Sequence, residues 1–239
     1  MSVFKFKRFE IRHDKCAMKI GTDGLLLGAW TDLSSAKRVL DVGTGSGVIA
    51  VMCAQRKNDA SIMAIDIDED AAEQALENVK ISPFAKNIQV GVADFCDVTL
   101  EGVAGGVKFT HIVSNPPYFV EQTCSPDCKR NQARNSSALP FEDLMRKSAE
   151  LLCEGGKLSI IIPASLSCMV VSCAVRYGLY LSRRTDIADA PCADFKRSML
   201  EFANGVILPT ERANMYIHDV NGGYSLDYKN MMSEYLPLL

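Results

Sequence analysis

Residues 111–120, "HIVSNPPYFV", run as an apolar strand and then stop at Asn115-Pro116-Pro117-Tyr118, four residue types suited to work on a planar amino nitrogen. Neither proline has an N–H to give to a sheet ladder, and each restricts the residue before it to extended geometry, so the run must end in a stiff turn. The Asn115 side-chain oxygen and the Pro116 carbonyl can both accept from an amino group, and the prolines hold those acceptors rigidly, which reduces the entropy lost on binding. Tyr118 offers a face on which a flat ring can stack. Two acceptors drawing on the N–H bonds keep the nitrogen lone pair aimed at an electrophile, so no strong base is needed. Asn115, Pro116, Pro117 and Tyr118 are therefore the candidate catalytic residues, and an asparagine in the first position is compatible with either a nucleobase or an amide substrate.

A second group lies upstream. In "VLDVGTGSGVIAV", residues 39–51, Gly43, Gly45 and Gly47 stand between a strand pattern and a helix pattern. Ligands of such sheets bind beyond the carboxyl ends of the strands, and glycines there let the backbone approach closely. A phosphate-cradling loop would need Gly-Lys-Ser/Thr, which is absent, and a dinucleotide fingerprint would need glycine where Val48 stands. Asp41 precedes the loop and would suit a ligand bearing an amino group. Asp66 closes the next strand, where a carboxylate can take both ribose hydroxyls. Asp94 closes the third, where it can accept from an adenine amino group. An amino acid, a ribose and an adenine together describe S-adenosylmethionine, with S-adenosylhomocysteine as product. The stretch Asp66–Glu77 nearly spells a calcium loop, but its sixth position is Ala71 rather than the glycine that the sharp turn requires. Cys124 and Cys128 lack the further ligands of a zinc site, so no metal is expected.

These residues need a scaffold that brings strand ends together, and the rest of the chain supplies the pattern for one. Strands are expected over 37–42, 61–66, 87–94, 108–115 and 157–163, with helices over 46–56, 68–82, 140–156 and 165–177 between or after them. Repeated βα units argue a parallel sheet with helices on both faces, an α/β fold. Further strands near 179–187, 197–208 and 213–219 finish the chain, and the turn-like "PTERA" predicts an antiparallel hairpin between the last two. Residues 1–35 read as an N-terminal basic arm with a short helix near 23–30, and residues 36–239 as one larger domain. The arm crowds Lys5, Lys7, Arg8, Arg12, Lys15 and Lys19 together, and Lys129, Arg130 and Arg134 follow the proline turn; an acidic block stands apart at Asp66–Glu77, so the net charge of −3 can hide a basic face. The opening residues lack the apolar run of a signal peptide, and no stretch approaches the roughly eighteen apolar residues of a membrane helix. Nine scattered cysteines then read as reduced thiols in a cytoplasm, with no membrane association and no required protein partner evident.

The glycine loop, the acidic strand ends and NPPY together resemble class I methyltransferases that act on exocyclic or amide nitrogens. "HDKCAMKIGTDGLLLGAW" (13–30), "SNPPYF" (114–119) and "RRTDIAD" (183–189) resemble, in matching order over nearly the whole chain, the bacterial tRNA1(Val) (adenine(37)-N6)-methyltransferase family. The resemblance implies a Rossmann-like seven-stranded mixed sheet of order 3-2-1-4-5-7-6. It implies methyl transfer from S-adenosylmethionine to N6 of adenine-37, next to the anticodon of a valine tRNA. It also implies that Lys19, Thr22 and Asp23 lie near the methionine end of the donor. A protein-glutamine N5-methyltransferase, or another nucleic-acid N-methyltransferase, would use the same NPPY. The first usually carries a helical recognition domain, for which this arm is too short.

Overall fold

The computed structural model describes residues 3–16, 19–117 and 139–237, and an eight-stranded mixed sheet organises them. The strands are β3 (Arg38–Val42), β4 (Ser61–Asp66), β5 (Ile88–Val92), β6 (Phe109–Ser114), β7 (Leu152–Pro163), β8 (Leu179–Ala188), β9 (Arg197–Asn204) and β10 (Glu211–Tyr216). Across the sheet they run β10-β8-β9-β7-β6-β3-β4-β5. The β3, β4, β5, β6 and β7 neighbours are all parallel, while β9 lies antiparallel to both β7 and β8. The first seven strands of this sheet keep the expected order, but the count is corrected to eight, because β10 adds itself to the outer edge of β8.

That addition also corrects the expected hairpin. β10 does not pair with β9; it pairs with β8 in parallel, with Met215 opposite Ile187. Turn residues between two strands show that the chain reverses or loops, but they do not choose its hydrogen-bonding partner. The choice is made by burial: Met215 and Ile217 reach the core that the helices on that face share with Ile187. Two further corrections concern helix ends and termini. The helix expected over 140–156 stops at Leu151, and β7 begins at once with Leu152 opposite Phe109. The Asn204 side-chain amide donates to the carbonyls of Ala149, Leu152 and Cys153, satisfying acceptors that a longer helix would have used internally. The chain closes with a short helix, α7 (Leu226–Met232), not with a strand.

Six helices precede α7 among the described residues: α1 (Thr22–Trp30), α2 (Val48–Arg56), α3 (Glu69–Ile81), α4 (Leu100–Ala104), α5 (Phe141–Leu151) and α6 (Ser167–Arg176). Alternate residues of each buried strand face opposite layers, as the two-residue period of a strand requires. Val39, Val113 and Ile161 pack with α1, α2 and α7; Leu40, Ile112 and Ile160 pack with α5 and α6. The arm is built into the first layer. A β1 (Val3–Lys5) and β2 (Glu10–Arg12) hairpin places Phe6 and Phe9 in a stack 4.2 Å apart and buries Ile11 completely. Among the described residues no helix is long and apolar enough to cross a membrane, and the seven described cysteines are free thiols.

Candidate active site

The parallel strands direct their carboxyl ends to one edge, and the loops there carry most of the residues singled out by type and spacing. The loop after β3 contains Gly43, Gly45 and Gly47 at φ values of 67°, 55° and 80°, a region that L side chains rarely enter. A Cβ on Gly43 or Gly45 would meet open space, so there the constraint is backbone conformation, and the free side of the loop is open to a ligand. On Gly47 a Cβ would lie 3.2 Å from the Ala75 Cβ, so this glycine also lets α2 begin against α3.

Two aspartates hold the loop. Asp41 is fully buried; its Oδ2 accepts from the Thr44 hydroxyl at 2.6 Å and from the Ala50 N–H at 3.1 Å. Burial pushes its carboxyl up to about 7 against those two hydrogen bonds, and the nearby Asp66 adds to the rise. Asp41, expected to face a ligand amino group, is buried in this structure and braces the loop from beneath through Oδ2. Asp66 sits at the end of β4, half-buried, and accepts from the Gly45 N–H at 2.8 Å and the Asp68 N–H at 3.0 Å. A carboxylate offers about four lone-pair directions, so two remain for hydroxyl donors. Asp94, after β5, accepts from the Cys96 N–H at 2.9 Å and is likewise half-buried, with acceptor capacity left.

Asn115, Pro116 and Pro117 follow β6, whose neighbours are β3 and β7, so the amide and the glycine loop leave adjacent strands at the same edge. Helix α1 covers this point. The Cβ position on Gly24 is 4.0 Å from the Asn115 Nδ2. Asp23, one residue earlier, forms an ion pair with Arg197 at the start of β9. Thr22 and Lys19 are exposed just before it. Tyr118, Cys124, Cys128, Lys129, Arg130 and Arg134 lie outside the described residues. Among the described residues there is no cluster of three or more metal-ligating side chains.

The basic arm is a different object from the one its sequence suggests. Lys15 pairs with Glu73 at 3.1 Å and Glu77 at 2.9 Å on α3, so the arm and the acidic block, read as separate features, meet at this residue. The Lys7 ammonium donates to the Ser233 carbonyl, and the Arg8 guanidinium lies 5.0 Å from the Phe84 ring centre. Two buried amides of α3, not singled out by the sequence, fasten the arm over the loop. Asn78 accepts from the Arg12 N–H at 2.9 Å and donates to the Arg12 carbonyl at 2.7 Å and the Ser46 carbonyl at 2.8 Å, while Gln74 accepts from the Lys15 N–H. Their signal was available as polar residues on the apolar face of an amphipathic helix. Arg197 carried no such signal, because its partner is 174 positions away in the chain.

Comparison with known proteins agrees with this geometry. The Methyltransferase small domain family model matches residues 17–171. A Phocaeicola vulgatus protein described as a tRNA1(Val) (adenine(37)-N6)-methyltransferase is 48% identical over 199 residues, 83% of this chain and 82% of that one. A Bacteroides thetaiotaomicron protein of the same description is 42% identical over 97% of this chain and 96% of its own length. Among solved structures, an Agrobacterium tumefaciens protein described as a predicted O-methyltransferase superposes with a TM-score of 0.68 at 20% identity, covering 89% of this chain and 96% of its own. TrmN from Thermus thermophilus superposes with a TM-score of 0.56 at 22% identity, covering 81% and 52%. The likeness to the solved structures shows a class I methyltransferase fold, and on the identities and coverage of its relatives the chain belongs to the tRNA1(Val) (adenine(37)-N6)-methyltransferase family.

Proposed function

We propose that this protein transfers a methyl group from S-adenosylmethionine to the exocyclic N6 of adenine-37 in valine tRNA, working in the cytoplasm where that substrate is found. The observation that carries the reading is the delivery of Asn115 and Pro116 by β6 to the edge where the glycine loop opens, in a chain 48% identical to a protein described by that activity. The residues at this edge fit the donor. The loop at Gly43 and Gly45 has an open flank, Asp66 keeps acceptor capacity for a ribose, and Asp94 keeps it for an adenine amino group. The donor supplies an electrophilic methyl on a positively charged sulfonium.

The chain's own part is binding and aim. Asn115 Oδ1 and the Pro116 carbonyl accept from the two N–H bonds of the target amino group and hold its lone pair in line. Their pull strengthens as positive charge develops on the nitrogen, so they favour the transition state over the ground state. The proton leaves after the bond has formed, which is why no carboxylate base is required beside Asn115. Tyr118 stacks on the base turned out of its loop, replacing lost stacking. Lys19, Thr22 and Asp23, at the head of α1, close over the methionine end. The 1–35 segment serves as a covering arm of the 36–239 domain, fastened by Asn78 and Gln74.

The test is to react the protein with isotopically labelled donor and bulk tRNA, then map the labelled nucleotide. N6-methyladenosine at position 37 of valine tRNA is the expected product. Label in protein glutamine, or in no RNA, would overturn the reading.

A further inference from the structure

The carboxyl edge continues past Asn115, and its far part carries two rings that the methyl-transfer chemistry does not use. Phe195, in the loop between β8 and β9, is 38% exposed, and its ring lies 6.4 Å from that of Tyr216, at the end of β10, with 25° between the planes. Both rings are held by the strand ends beneath them. The Lys196 N–H donates to the Ile187 carbonyl, and the Ala164 N–H donates to the Lys196 carbonyl, which ties the Phe195 loop to β8 and to the end of β7. Met215 and Ile217 are buried on the face covered by α1 and α7, and the Ile217 N–H donates to the Ala188 carbonyl, so Tyr216 is turned to the opposite face on a fixed backbone.

Their distance from the reacting centre follows from the sheet. The order β6-β7-β9-β8-β10 puts the start of β9 two strand spacings from Asn115 and the end of β10 four, or about 10 Å and 19 Å at roughly 4.8 Å per strand. The charges around the rings are not basic: Lys196 pairs with Asp189, Arg197 pairs with Asp23, and Asp194 and Asp219 in the flanking loops add two further carboxylates. A phosphate-gripping surface would carry excess cations. A flat, preorganised, partly exposed aromatic pair with no excess of cations suits the faces of bases rather than phosphates, since every base has a π-face and stacking tolerates sequence.

We propose that Phe195 and Tyr216 form a stacking platform for an unpaired nucleotide flanking the methylated base. This rests on the RNA reading of the site and extends it. Turning one base out of a loop deprives its neighbours of a stacking partner, and a platform further along the same edge replaces that partner while keeping the strand in register with Asn115. Recognition at this platform is by stacking, so it is distinct in kind from any phosphate contact.

The experiment measures binding of valine tRNA and of its isolated anticodon stem-loop to the full chain with S-adenosylhomocysteine present, across a salt series. The variants are Phe195→Ala, Phe195→Leu, Tyr216→Ala and Tyr216→Phe. Both alanine variants should weaken RNA affinity about tenfold. Phe195→Leu should lose as much, because it keeps apolar bulk but no flat ring; Tyr216→Phe should bind as wild type. The slope of log affinity against log salt should not change, and donor affinity by calorimetry, which also reports folding, should hold. Wild-type RNA affinity in both alanine variants, full retention by Phe195→Leu, a reduced salt slope, or loss of self-association in place of RNA binding would each overturn the platform. If wild type methylates tRNA and the variants bind it normally, the platform alone fails; if wild type neither binds nor methylates RNA, the proposed activity fails with it.

Discussion

Glu201 and Asp66 are both carboxylates on strands of one sheet, and their surroundings make them opposites. Glu201 is 2% exposed in the middle of β9, and each of its oxygens is engaged by the protein: Oε1 by Lys157 at 3.2 Å and the Ser182 hydroxyl at 3.3 Å, Oε2 by Arg183 at 3.0 Å. Around it the network closes on itself. Lys157 reaches Asp32 at 2.8 Å, and the Arg183 guanidinium lies 3.8 Å from the Trp30 ring centre and donates to the Trp30 carbonyl. Partial burial would push the Asp32 carboxyl up, yet hydrogen bonds from Lys157 and Ser34 outweigh it and hold that group below the usual carboxylate range. Asp66 instead receives two backbone N–H groups on its inner side and keeps acceptor capacity at a strand end beside an open loop. Carboxylates thus divide by the saturation of their own oxygens: Glu201, with both oxygens engaged by neighbouring cations and a hydroxyl, holds the fold, and Asp66, with acceptor capacity left over, is available to a ligand.

The largest effect that would break this division is expected at Glu201. Glu201→Ala leaves Lys157 and Arg183 without their buried partner and should lower the unfolding free energy by about 3–5 kcal/mol, read by urea titration, with donor affinity unchanged in the folded protein. A stable variant that binds donor poorly would place Glu201 in the site instead. Asn115→Ala should do the reverse. It should lower the single-turnover rate at saturating donor and tRNA by at least about a hundredfold while leaving urea stability near wild type. Turnover close to wild type would remove Asn115 from the chemistry.

Asp66→Ala should weaken S-adenosylmethionine binding by roughly 2–3 kcal/mol, tens to more than a hundredfold, with a native circular dichroism spectrum; calorimetry showing unchanged affinity would refute the ribose assignment. The smallest effect sharpens the boundary case, Asp41, which is buried like Glu201 but belongs to the donor loop. Its carboxyl is raised from 3.8 to about 7, so between about pH 4 and 7 the folded protein retains a proton that the unfolded chain has lost. Its contribution to stability is therefore greatest at low pH and falls as pH rises through about 7, with a slope of at most about 1.4 kcal/mol per pH unit. Asp41→Asn keeps an acceptor for Thr44 and Ala50 but cannot titrate. Unfolding measured from pH 4 to 8 should show that slope reduced in the variant; identical pH profiles would place the proton elsewhere.

How much was legible before the structure differs from element to element. β3, β4, β5 and β6 and the helices α2 and α3 announced themselves through apolar period and boundary residues, because each is a local βα unit, whereas the short α4 between β5 and β6 was not expected. The placement of Asp66, Asp94 and Asn115 followed, since a residue that ends a parallel strand goes to the carboxyl edge wherever the strand sits in the sheet. The closing strands were less legible. PTERA signalled a turn, but β10 was free to pair with β8 or β9, and the buried positions of Met215 and Ile217 decided it. Helix propensity ran through Cys153, but pairing of Leu152 with Phe109 claimed those residues for the sheet.

By itself the sequence determined the fold class, the identity of the loop and the residues that end each parallel strand, because these depend on side-chain type and local spacing along a continuous segment. Only tertiary structure decided which charges are spent on one another. Lys15 against Glu73 and Glu77, Asp23 against Arg197, and Glu201 between Lys157 and Arg183 join positions far apart in the chain. That Asp41 braces the loop was decided in the same way: which donors reach a carboxylate, and whether solvent can, are properties of packing rather than of the residue.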